Sequence, residues 1–574
     1  MKTECGLIGA FITNPVSKES IWHSLHQIQH RGQDSYGYIV INDSKNENGF
    51  ESKIKKEKGL LPDLNSFDYV ERNNNFTKNN DKGILFLGHT RYSTNTTVEC
   101  LDTSLIEYNI QPVEICKEYG IYMSHNGNLP NLKINLQRLG LEQYYKNGIS
   151  DTYLFKLIWN IKFMKRLEQN GKTCSLEDIL EYLKYILMNI VGAYSCVMTF
   201  CEPIPRINNR INDSFFHDTI QSHSRSEYKY YLLGFRDRYG YKPLSIGKLT
   251  SINNSNQSNV NNITMNEFNF NYCFISESVQ LQDNAYYIRD VEPGEIWCSY
   301  MNKEPYLLGR INDNMKQNEV TIKNDSLSKL NGFICSLEVI YFMNKNSILF
   351  NQDTTVNNIR RCLGIELAKQ DIYNMSTLLN PQKPLDDDCQ AITLLKNRKI
   401  LFIPDSAYSI SQGYCNFLGT CVYDNLISKV QNIRSFIEST TEARENKIKH
   451  KFVFNDNAII ELGVAEIVII DDTIVRGSSI KYVVTELYKR NPKLKIHIRI
   501  GSPKIIKGCS FGIDLYDNEL IATKEPNLES WLGVVSVDFL NNQRLKNIFE
   551  TYNMFNCQYC FGTSHKYNTK TLEW

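Results

Sequence analysis

Two adjacent carboxylates, Asp471 and Asp472, follow a short apolar run and could together hold a sugar diol and a hard cation. The run, 464–470, is rich in β-branched residues and predicts a buried parallel strand. The turn 476–479 then leads into a predicted helix over 480–488. Ligands of open α/β sheets bind outside the carboxyl ends of strands, and free N–H groups with hydroxyls suit an anion. An ordinary capped strand-to-helix turn is the alternative interpretation.

A second group of residues could perform nucleophilic chemistry, with Cys5 at its head. Small and apolar residues follow Cys5 and predict a strand. A single Cys near a terminus is usually an ordinary thiol, so its meaning depends on the motifs that come after it. These motifs, in chain order, are Gln29–Asp34, Gly88–Thr94, Asn109–Pro112, Ser124–Leu129 and Ser150–Thr152.

Composition limits where these sites can operate. The 574 residues are 42% apolar and 22% charged with a net charge of +1, which argues against nucleic acid or a membrane surface as partner. There is no apolar run of about 18 residues, no signal core and no transit peptide, so we expect a cytoplasmic protein. The sixteen Cys are then thiols, metal ligands or catalysts. Polar Asn-rich stretches predict loop insertions at 42–82, 204–228 and 251–271, and an interdomain linker at 311–329.

In their order, the N-terminal motifs resemble the glutaminase domain of the N-terminal-nucleophile amidotransferases, from Cys5 to about residue 300. The resemblance implies an αββα sandwich over 5–310, with Cys5 as the mature N-terminus and residues 1–4 as a propeptide. A free α-amine titrates near pH 8 and can take the thiol proton. The thiolate would attack the γ-amide of glutamine and release ammonia, leaving a thioester for water to hydrolyse.

The resemblance also implies roles for individual residues. The Asn126 amide and the Gly127 N–H would stabilise the oxyanion. Arg91 would pair with the α-carboxylate of glutamine, and Asp151 with its α-ammonium. Arg31 is either a glutamine contact or part of a core ion pair. Because the α-amine fills the role of base, we expect the motif histidines to be structural. They are His30, His89 and His125.

In the C-terminal half, the stretch 464–479 resembles the signature of type I phosphoribosyltransferases, which bind phosphoribosyl diphosphate (PRPP) on a parallel α/β sheet. With the segments 335–342, 356–368 and 403–414, the chain resembles the amidophosphoribosyltransferase family outside its Asn-rich insertions. The resemblance places this second domain at 330–574. It implies Mg²⁺ near Ser406 and the acid pair. The implied PRPP-binding residues are Asp405, Ser406, Lys429, Arg434, Asp471, Asp472, Thr473, Arg476, Gly477, Ser478 and Ser479.

The segment 428–437 matches the family loop that closes over PRPP, but with substitutions. Arg434 is kept, whereas the Arg-Tyr pair is replaced by Val430-Gln431 and the Gly by Ile433. Lys429 stands one position from the missing cation. Loop closure excludes water and assembles the site, so these changes bear on catalytic efficiency.

Four cysteines form a possible metal-binding set. Cys557 and Cys560 make a C-x-x-C motif, which alone could be redox-active, zinc-binding or incidental. By resemblance to the propeptide-bearing branch of the family, Cys335 and Cys509 complete the ligands of a 4Fe–4S cluster. Such a cluster would hold the C-terminal segment to the second domain. A four-Cys zinc site is the alternative.

The expected activity is the reaction of glutamine, PRPP and water to 5-phosphoribosylamine, glutamate and pyrophosphate, the first committed step of purine synthesis. The resemblance further implies a homo-oligomer, with a tetramer expected, and inhibition by purine nucleotides. One alternative is an amidotransferase with another acceptor, such as a hexosamine synthase, whose sugar-isomerase domain lacks the 471–479 signature. Another is a catalytically weak homologue with a regulatory or binding role.

Overall fold

A computed structural model of the chain describes most of its length. The described residues are 4–12, 18–44, 49–62, 83–91, 110–129, 132–145, 151–165, 174–204, 228–249, 271–278, 285–311, 333–349, 354–430, 451–509, 511, 513 and 515–563. The chain divides into two compact units, Thr3–Val320 and Thr321–Trp574, the second together with Met1–Lys2. Apart from residue 311, the predicted linker 311–329 lies outside the described residues. None of the described helices is both long enough and apolar enough to cross a membrane.

The N-terminal unit is built on two antiparallel sheets. Its strands are β1 Gly6–Phe11, β2 Ser35–Asp43, β3 Phe50–Lys58, β4 Gly83–Arg91, β5 Val113–Cys116, β6 Ile121–Asn128, β7 Ala193–Pro203, β8 Tyr228–Arg236, β9 Ser245–Leu249, β10 Asn271–Ile275, β11 Ala285–Asp290, β12 Glu295–Tyr300 and β13 Tyr306–Arg310. One sheet has the order β11-β9-β10-β1-β4-β2-β3 and the other β13-β12-β8-β7-β6-β5.

Helices cover the outer faces of both sheets. They are α1 Lys18–Gln27, α2 Leu132–Arg138, α3 Asp151–Ile158 (continued by a π-helical turn, Trp159–Phe163) and α4 Leu176–Asn189. Trp22 of α1 packs against β1 and β2, and Ile179 of α4 packs against β6 and β7. Between the sheets, Leu7 and Leu87 of one meet Val197 and Leu232 of the other. This layering confirms the predicted αββα sandwich, because each strand buries alternate residues on each side.

The C-terminal unit contains a parallel sheet of order β17-β20-β21-β22. Its strands and helices are β14 Phe333–Cys335, β15 Ile348–Leu349, β16 Thr354–Thr355, α5 Val356–Leu379, α6 Cys389–Lys396, β17 Lys399–Phe402, α7 Tyr408–Leu418, β18 Ile427–Lys429, β19 Phe452–Phe454, α8 Asp456–Glu461, β20 Glu466–Asp471, α9 Ser478–Arg490, β21 Lys495–Ile500, α10 Ile521–Lys524, α11 Leu528–Leu532, β22 Ser536–Phe539, α12 Asn542–Thr551 and β23 Phe555–Cys557.

The strand β20 shows why the 464–470 run is almost continuously apolar, with Glu466 as its exception. Val468 and Ile470 face the cluster that holds α5 and α7, whereas Ile467 and Ile469 face the cluster that holds α9. All four side chains are fully buried. A strand covered by helices on both faces requires apolar residues at every position. The strand therefore ends where the charged residues begin, and its carboxyl end presents the acid pair.

Candidate active sites

Cys5 lies at the start of the central strand of the seven-stranded sheet. Gly6 pairs with Thr90 in the antiparallel ladder between β1 and β4, so the next step of the ladder places Cys5 opposite Arg91. The carbonyl of Cys5 accepts a hydrogen bond from Nε of Arg31 at 3.0 Å. Register and backbone bonding therefore fix the nucleophile beside the residue expected to bind the glutamine carboxylate.

Arg31 is a buried side chain with a buried partner. Its guanidinium pairs with the carboxylate of Glu277, and both side chains are fully excluded from solvent. The same carboxylate oxygen lies 3.1 Å from Nε2 of His30. This geometry favours the core ion pair over direct glutamine contact. Through Nε, Arg31 also holds the backbone of Cys5.

Asn126 is fully buried in β6, and neither atom of its side-chain amide has a hydrogen-bond partner among the described residues. A buried amide left without partners costs about 1–3 kcal/mol. Such a group is retained where a ligand supplies the missing bond. The orphaned amide is what an oxyanion donor requires before its substrate arrives.

The N–H of Gly127 points away from the neighbouring strand. Gly127 stands opposite Tyr194, whose N–H donates to the Asp237 carboxylate at 3.0 Å and whose carbonyl accepts the Asp237 N–H at 2.9 Å. Both backbone groups of Tyr194 therefore face β8, which makes its pairing with Gly127 a non-hydrogen-bonded one. His125, two residues earlier and on the same side of β6, donates its N–H to Oε1 of Gln111 at 2.6 Å.

Only glycine fits at position 127. A Cβ there would lie 2.2 Å from the carbonyl oxygen of Ala193. The close approach of β7 thus selects Gly127, while the strand register directs its N–H outward. Together with the Asn126 amide, this gives the two donors that the sequence predicts.

Asp151 is the first residue of α3, and its carboxylate lies near His125 of β6. Its Oδ1 accepts the N–H of Thr152 at 2.8 Å, and its Oδ2 lies 3.8 Å from Nε2 of His125. Burial lowers the pKa of His125 even though Asp151 raises it, and Arg91 lowers it further. Burial also takes the pKa of His89 well below its ordinary value, and its Nε2 donates to the carbonyl of His125 at 3.2 Å. Both rings are neutral at physiological pH, in keeping with structural roles.

The acid pair of the second unit is buried at the end of β20. The Asp472 N–H donates to Oδ1 of Asp471 at 2.9 Å, and the Thr473 hydroxyl donates to Oδ1 of Asp472 at 2.7 Å. Burial, joined by the charge of Asp472, raises the pKa of Asp471 well above its usual value. Burial also raises the pKa of Asp472, although the hydroxyls of Ser406 and Thr473 lower it. The donor set of two carboxylates and a hydroxyl suits Mg²⁺ by type.

A β-hairpin brings cations towards these acids. Lys429 of β18 is 2.8 Å from Oδ2 of Asp405, an exposed pair that contributes little stability. Lys451 also belongs to this group of cations, although the sequence did not predict it. It precedes β19, and its carbonyl accepts the N–H of Val430 at 3.1 Å. Burial and Lys429 lower the pKa of its ammonium, while three carboxylates raise it, those of Asp471, Asp472 and Asp405. Arg434 lies outside the described residues.

The turn after the acid pair begins a helix with open N–H groups. Gly477 has φ of 73°, and no side chain caps α9, which starts at Ser478. A Cβ at Gly477 would lie 2.9 Å from the ring of Trp531. A helix N-terminus of this kind, extended by the Ser478 and Ser479 hydroxyls, suits a phosphate. Arg476, also expected at PRPP, pairs with Glu519.

The four predicted cluster ligands gather in the C-terminal unit. Cys335 pairs with Cys557 across the parallel ladder of β14 and β23. Sγ of Cys509 accepts two backbone N–H groups, from Phe511 at 3.3 Å and from Ile513 at 3.5 Å. Such N–H···S bonds are typical of thiolates that hold iron–sulfur clusters.

Electrostatics shows that these thiols are neighbours. Burial, followed by the other thiols, raises the pKa of Cys335 and of Cys560 well above the ordinary value, and it raises that of Cys557 to about 12. Among the described residues no three metal-ligating side chains lie close enough to hold a single ion. Zinc would need all four sulfurs within about 2.3 Å of one centre, whereas a 4Fe–4S cluster gives each sulfur its own iron. A set of four thiolates suits an iron–sulfur cluster by type, with a four-Cys zinc site as the alternative.

The chain is similar to known proteins over most of its length. No protein-family model matches the chain. Amidophosphoribosyltransferases match it over 80% or more of their own length. That of Methanocaldococcus jannaschii is 26% identical over 94% of this chain and 93% of its own, and that of Bacillus subtilis is 25% identical over 100% and 96%. Amidophosphoribosyltransferase 3, chloroplastic, of Arabidopsis thaliana is 26% identical over 95% and 80%.

Solved structures agree with the fold. Glutamine phosphoribosylpyrophosphate amidotransferase from B. subtilis, complexed with ADP and GMP, superposes with a TM-score of 0.64 at 22% identity, covering 98% of this chain and 97% of its own. A structure described as the allosteric regulatory enzyme of purine biosynthesis gives 0.65 at 23% identity, covering 98% and 96%.

The fold and the two sites define a class of protein, a glutamine amidotransferase of the N-terminal-nucleophile type joined to a phosphoribosyltransferase unit. Within that class, the chain is similar along nearly its whole length to amidophosphoribosyltransferases, at 24–26% identity.

Proposed function

We propose that the chain transfers the amide nitrogen of glutamine to PRPP, giving 5-phosphoribosylamine, glutamate and pyrophosphate, the first committed step of purine synthesis. The observation that carries the proposal is the pairing of two half-sites in one chain. One unit holds Cys5 at the start of β1 and an orphaned, buried Asn126 amide on β6, and in the other unit a buried acid pair ends the strand β20. The proposed mature enzyme begins at Cys5.

In the first half-reaction the α-amine of Cys5 takes the thiol proton, and the thiolate attacks the γ-amide carbon. Asn126 and Gly127 donate to the oxyanion, a contribution of about 2.7–4 kcal/mol for each donor. Arg91 and Asp151 hold the amino-acid head of glutamine. Arg31 fixes the Cys5 carbonyl, so that the nucleophile approaches from one direction.

In the second half-reaction ammonia displaces pyrophosphate at C1 of PRPP. We assign the ribose hydroxyls to Asp471 and Asp472, and the 5-phosphate to the 473–479 turn. Asp405, Ser406, Lys429 and Lys451 then face the pyrophosphate. Mg²⁺, held by Ser406 and the acid pair, would neutralise the charge of the leaving group. A 4Fe–4S cluster on the four cysteines would fasten the C-terminal strand β23 to β14, without a chemical role.

Resemblance to the family supports three further proposals: a homotetramer, cytoplasmic localisation and inhibition by purine nucleotides. The last is supported by the B. subtilis relative whose structure is complexed with ADP and GMP.

The proposal is tested on protein purified without oxygen. Glutamate and pyrophosphate should form in a 1:1 ratio from glutamine and PRPP, and ammonia should replace glutamine in the formation of pyrophosphate. Pyrophosphate formed from ammonia but not from glutamine would contradict the proposed first half-reaction, the hydrolysis of glutamine at Cys5. Glutamate released at the same rate with and without PRPP would argue for another acceptor. Visible absorbance that is lost on oxidation is expected for the cluster, and one zinc per chain would refute it.

A further inference from the structure

The residue before the nucleophile, Glu4, is buried within the amidotransferase unit. Oε2 of its carboxylate is 2.6 Å from Nζ of Lys242. The side chain of Glu4 is 9% exposed and that of Lys242 is 1% exposed. Two ions that have lost their water in this way are stable together only where the geometry between them is well fixed. The pair is therefore a built contact between the predicted propeptide and the body of the unit.

The loop that carries Lys242, residues 237–244 between β8 and β9, is held by its own hydrogen bonds. Oδ1 of Asp237 accepts the N–H groups of Tyr239 and Gly240, both at 2.8 Å. The Arg236 guanidinium donates to the carbonyls of Gly240 and Val291, the latter at 2.6 Å. This bonding fixes the backbone of the loop just before Lys242 and involves no atom of Glu4. The side chain that precedes the nucleophile therefore pairs with a buried cation on a well-bonded loop.

The peptide bond between Glu4 and Cys5 is consequently held on both sides. Lys242 holds the side chain of the residue that supplies the carbonyl carbon, and Arg31 holds the carbonyl of the residue that supplies the nitrogen. Beyond Cys5, the ladder of β1 with β4 begins at Gly6. A bond fixed in this manner is presented in one conformation, which is the condition for specific cleavage.

We propose that Lys242 is a positioning residue for the maturation of this protein, and that it selects a carboxylate side chain at position 4. The inference rests on the proposed function, which requires Cys5 at the N-terminus. Maturation is hydrolysis: the bond between the Glu4 carbonyl carbon and the Cys5 nitrogen breaks. Water supplies hydroxyl to the carbon, giving a carboxylic acid, and a proton to the nitrogen, giving the α-amine. Negative charge builds on the Glu4 carbonyl oxygen as water adds, and a cation bound to the same residue lowers the energy of that state.

The test follows the N-terminus of the full chain by intact mass spectrometry over time. We expect E4Q and K242M each to slow the appearance of chains that begin at Cys5 by roughly 10- to 100-fold, the value of a charge-assisted hydrogen bond. K242R keeps the charge and should process at close to the wild-type rate. K248M, the same change elsewhere in the unit, is the matched control and should process normally.

The double variant E4Q/K242M separates a direct pair from two unrelated defects. If the two side chains act through one contact, the double variant should be no slower than the slower single variant. Multiplied effects would overturn the inference, as would wild-type processing in both single variants.

A chain made without residues 1–4, with its N-terminus verified as Cys5, removes the processing step. In that background K242M should keep the wild-type kcat for glutaminase. A large loss of kcat there would assign Lys242 to the mature site and overturn a role in maturation. If instead the wild-type chain remains intact and still hydrolyses glutamine, the α-amine mechanism of the proposed function fails as a whole. That outcome differs from one in which the wild type is processed and the variants are processed equally fast.

Discussion

The two candidate sites are assembled in different ways. Around Cys5 the backbone ladders do the positioning, and the charges are already balanced inside the unit, as in the pair of Arg31 with Glu277. Around Asp471 the groups come from turns at strand ends, and burial raises the pKa of both carboxylates, that of Asp471 further through the charge of Asp472. In the first site the charges are paired, and the proposed mechanism adds only a free α-amine. In the second site the carboxylates are buried together, and the proposed mechanism supplies cations from the hairpin and from Mg²⁺.

This difference predicts opposite responses to mutation. In the ladder-built site, the functional residues also belong to the structure, so removing one should lose activity and gain no stability. In the turn-built site, function is maintained against stability, because buried acids without a bound cation favour the unfolded or protonated chain. Variants of the two sites can therefore be compared on both scales.

The largest effect is expected from C5A. Glutamine-dependent formation of pyrophosphate should fall by at least about 10⁴-fold, because the nucleophile is gone. Ammonia-dependent formation of pyrophosphate should stay within about twofold of the wild-type rate, since the second site is unchanged. The matched control is C273A, a buried thiol of the same sheet. A parallel loss of the ammonia-dependent reaction in C5A would show that the two sites are not separable.

D471N should lose activity in both assays. We expect PRPP turnover to fall by on the order of 10²–10³-fold, because stabilisation of the ribose and the leaving group is worth several kcal/mol. The melting temperature in the absence of Mg²⁺ and PRPP should rise. A raised pKa means that the folded state holds its proton more tightly, so the wild-type protein loses this stability as pH rises from about 4 through the raised value. The gain of D471N should thus be larger at pH 8 than at pH 5, and a lower melting temperature at pH 8 would contradict this account.

The strands that carry both sites could be predicted from the sequence, but the charged partners of the site residues could not. The apolar pattern and its flanking residues predicted β20 with bounds within two residues of those observed. They also predicted the strand that follows Cys5, because buried strands have strong local signals. Lys451 was missed because nothing in its neighbours marks it as a ligand; its place beside β18 depends on the pairing of β18 with β19. The partners of Arg31 and Arg476, Glu277 and Glu519, are 246 and 43 residues away, and such contacts depend on tertiary structure.

N126A tests the ladder-built site without removing its nucleophile. Glutaminase kcat should fall by about 10²–10³-fold with a much smaller change in KM, because the amide donates mainly to the transition state. Stability should change little, because the relief of an amide without hydrogen-bond partners among the described residues is offset by the cavity that the truncated side chain leaves. N135A is the contrasting control. That buried amide bonds the Val191 backbone at 2.7 and 2.9 Å, so its loss should lower the melting temperature. An N126A enzyme with normal kcat would remove Asn126 from the oxyanion site.

Substitutions at two glycines of the second unit distinguish the effect of backbone strain from the effect of site geometry. Gly477 and Gly463 both have positive φ, but an added Cβ meets Trp531 at the first and nothing within 4 Å at the second. G463A should cost only about 1–2 kcal/mol of stability, with normal kinetics. G477A should show that cost together with a KM for PRPP raised roughly tenfold, because the turn that receives the phosphate shifts. Equal kinetics in the two variants would show that the turn does not bind PRPP.

The smallest effect is expected from Lys451, the buried cation of the hairpin, and it appears in the pH dependence of the reaction at the second site. Burial lowers the pKa of Lys451, so its charge is present at low pH and is lost as pH rises through that lowered value. In the ammonia-dependent assay, with the concentration of free ammonia held constant, kcat/KM for PRPP should decline on the alkaline side. K451M should lower kcat/KM several-fold at neutral pH and remove that decline. K429M, which alters the exposed cation beside it, should retain the decline. An unchanged alkaline limb in K451M would place the titrating group elsewhere and leave the acid pair dependent on the metal alone.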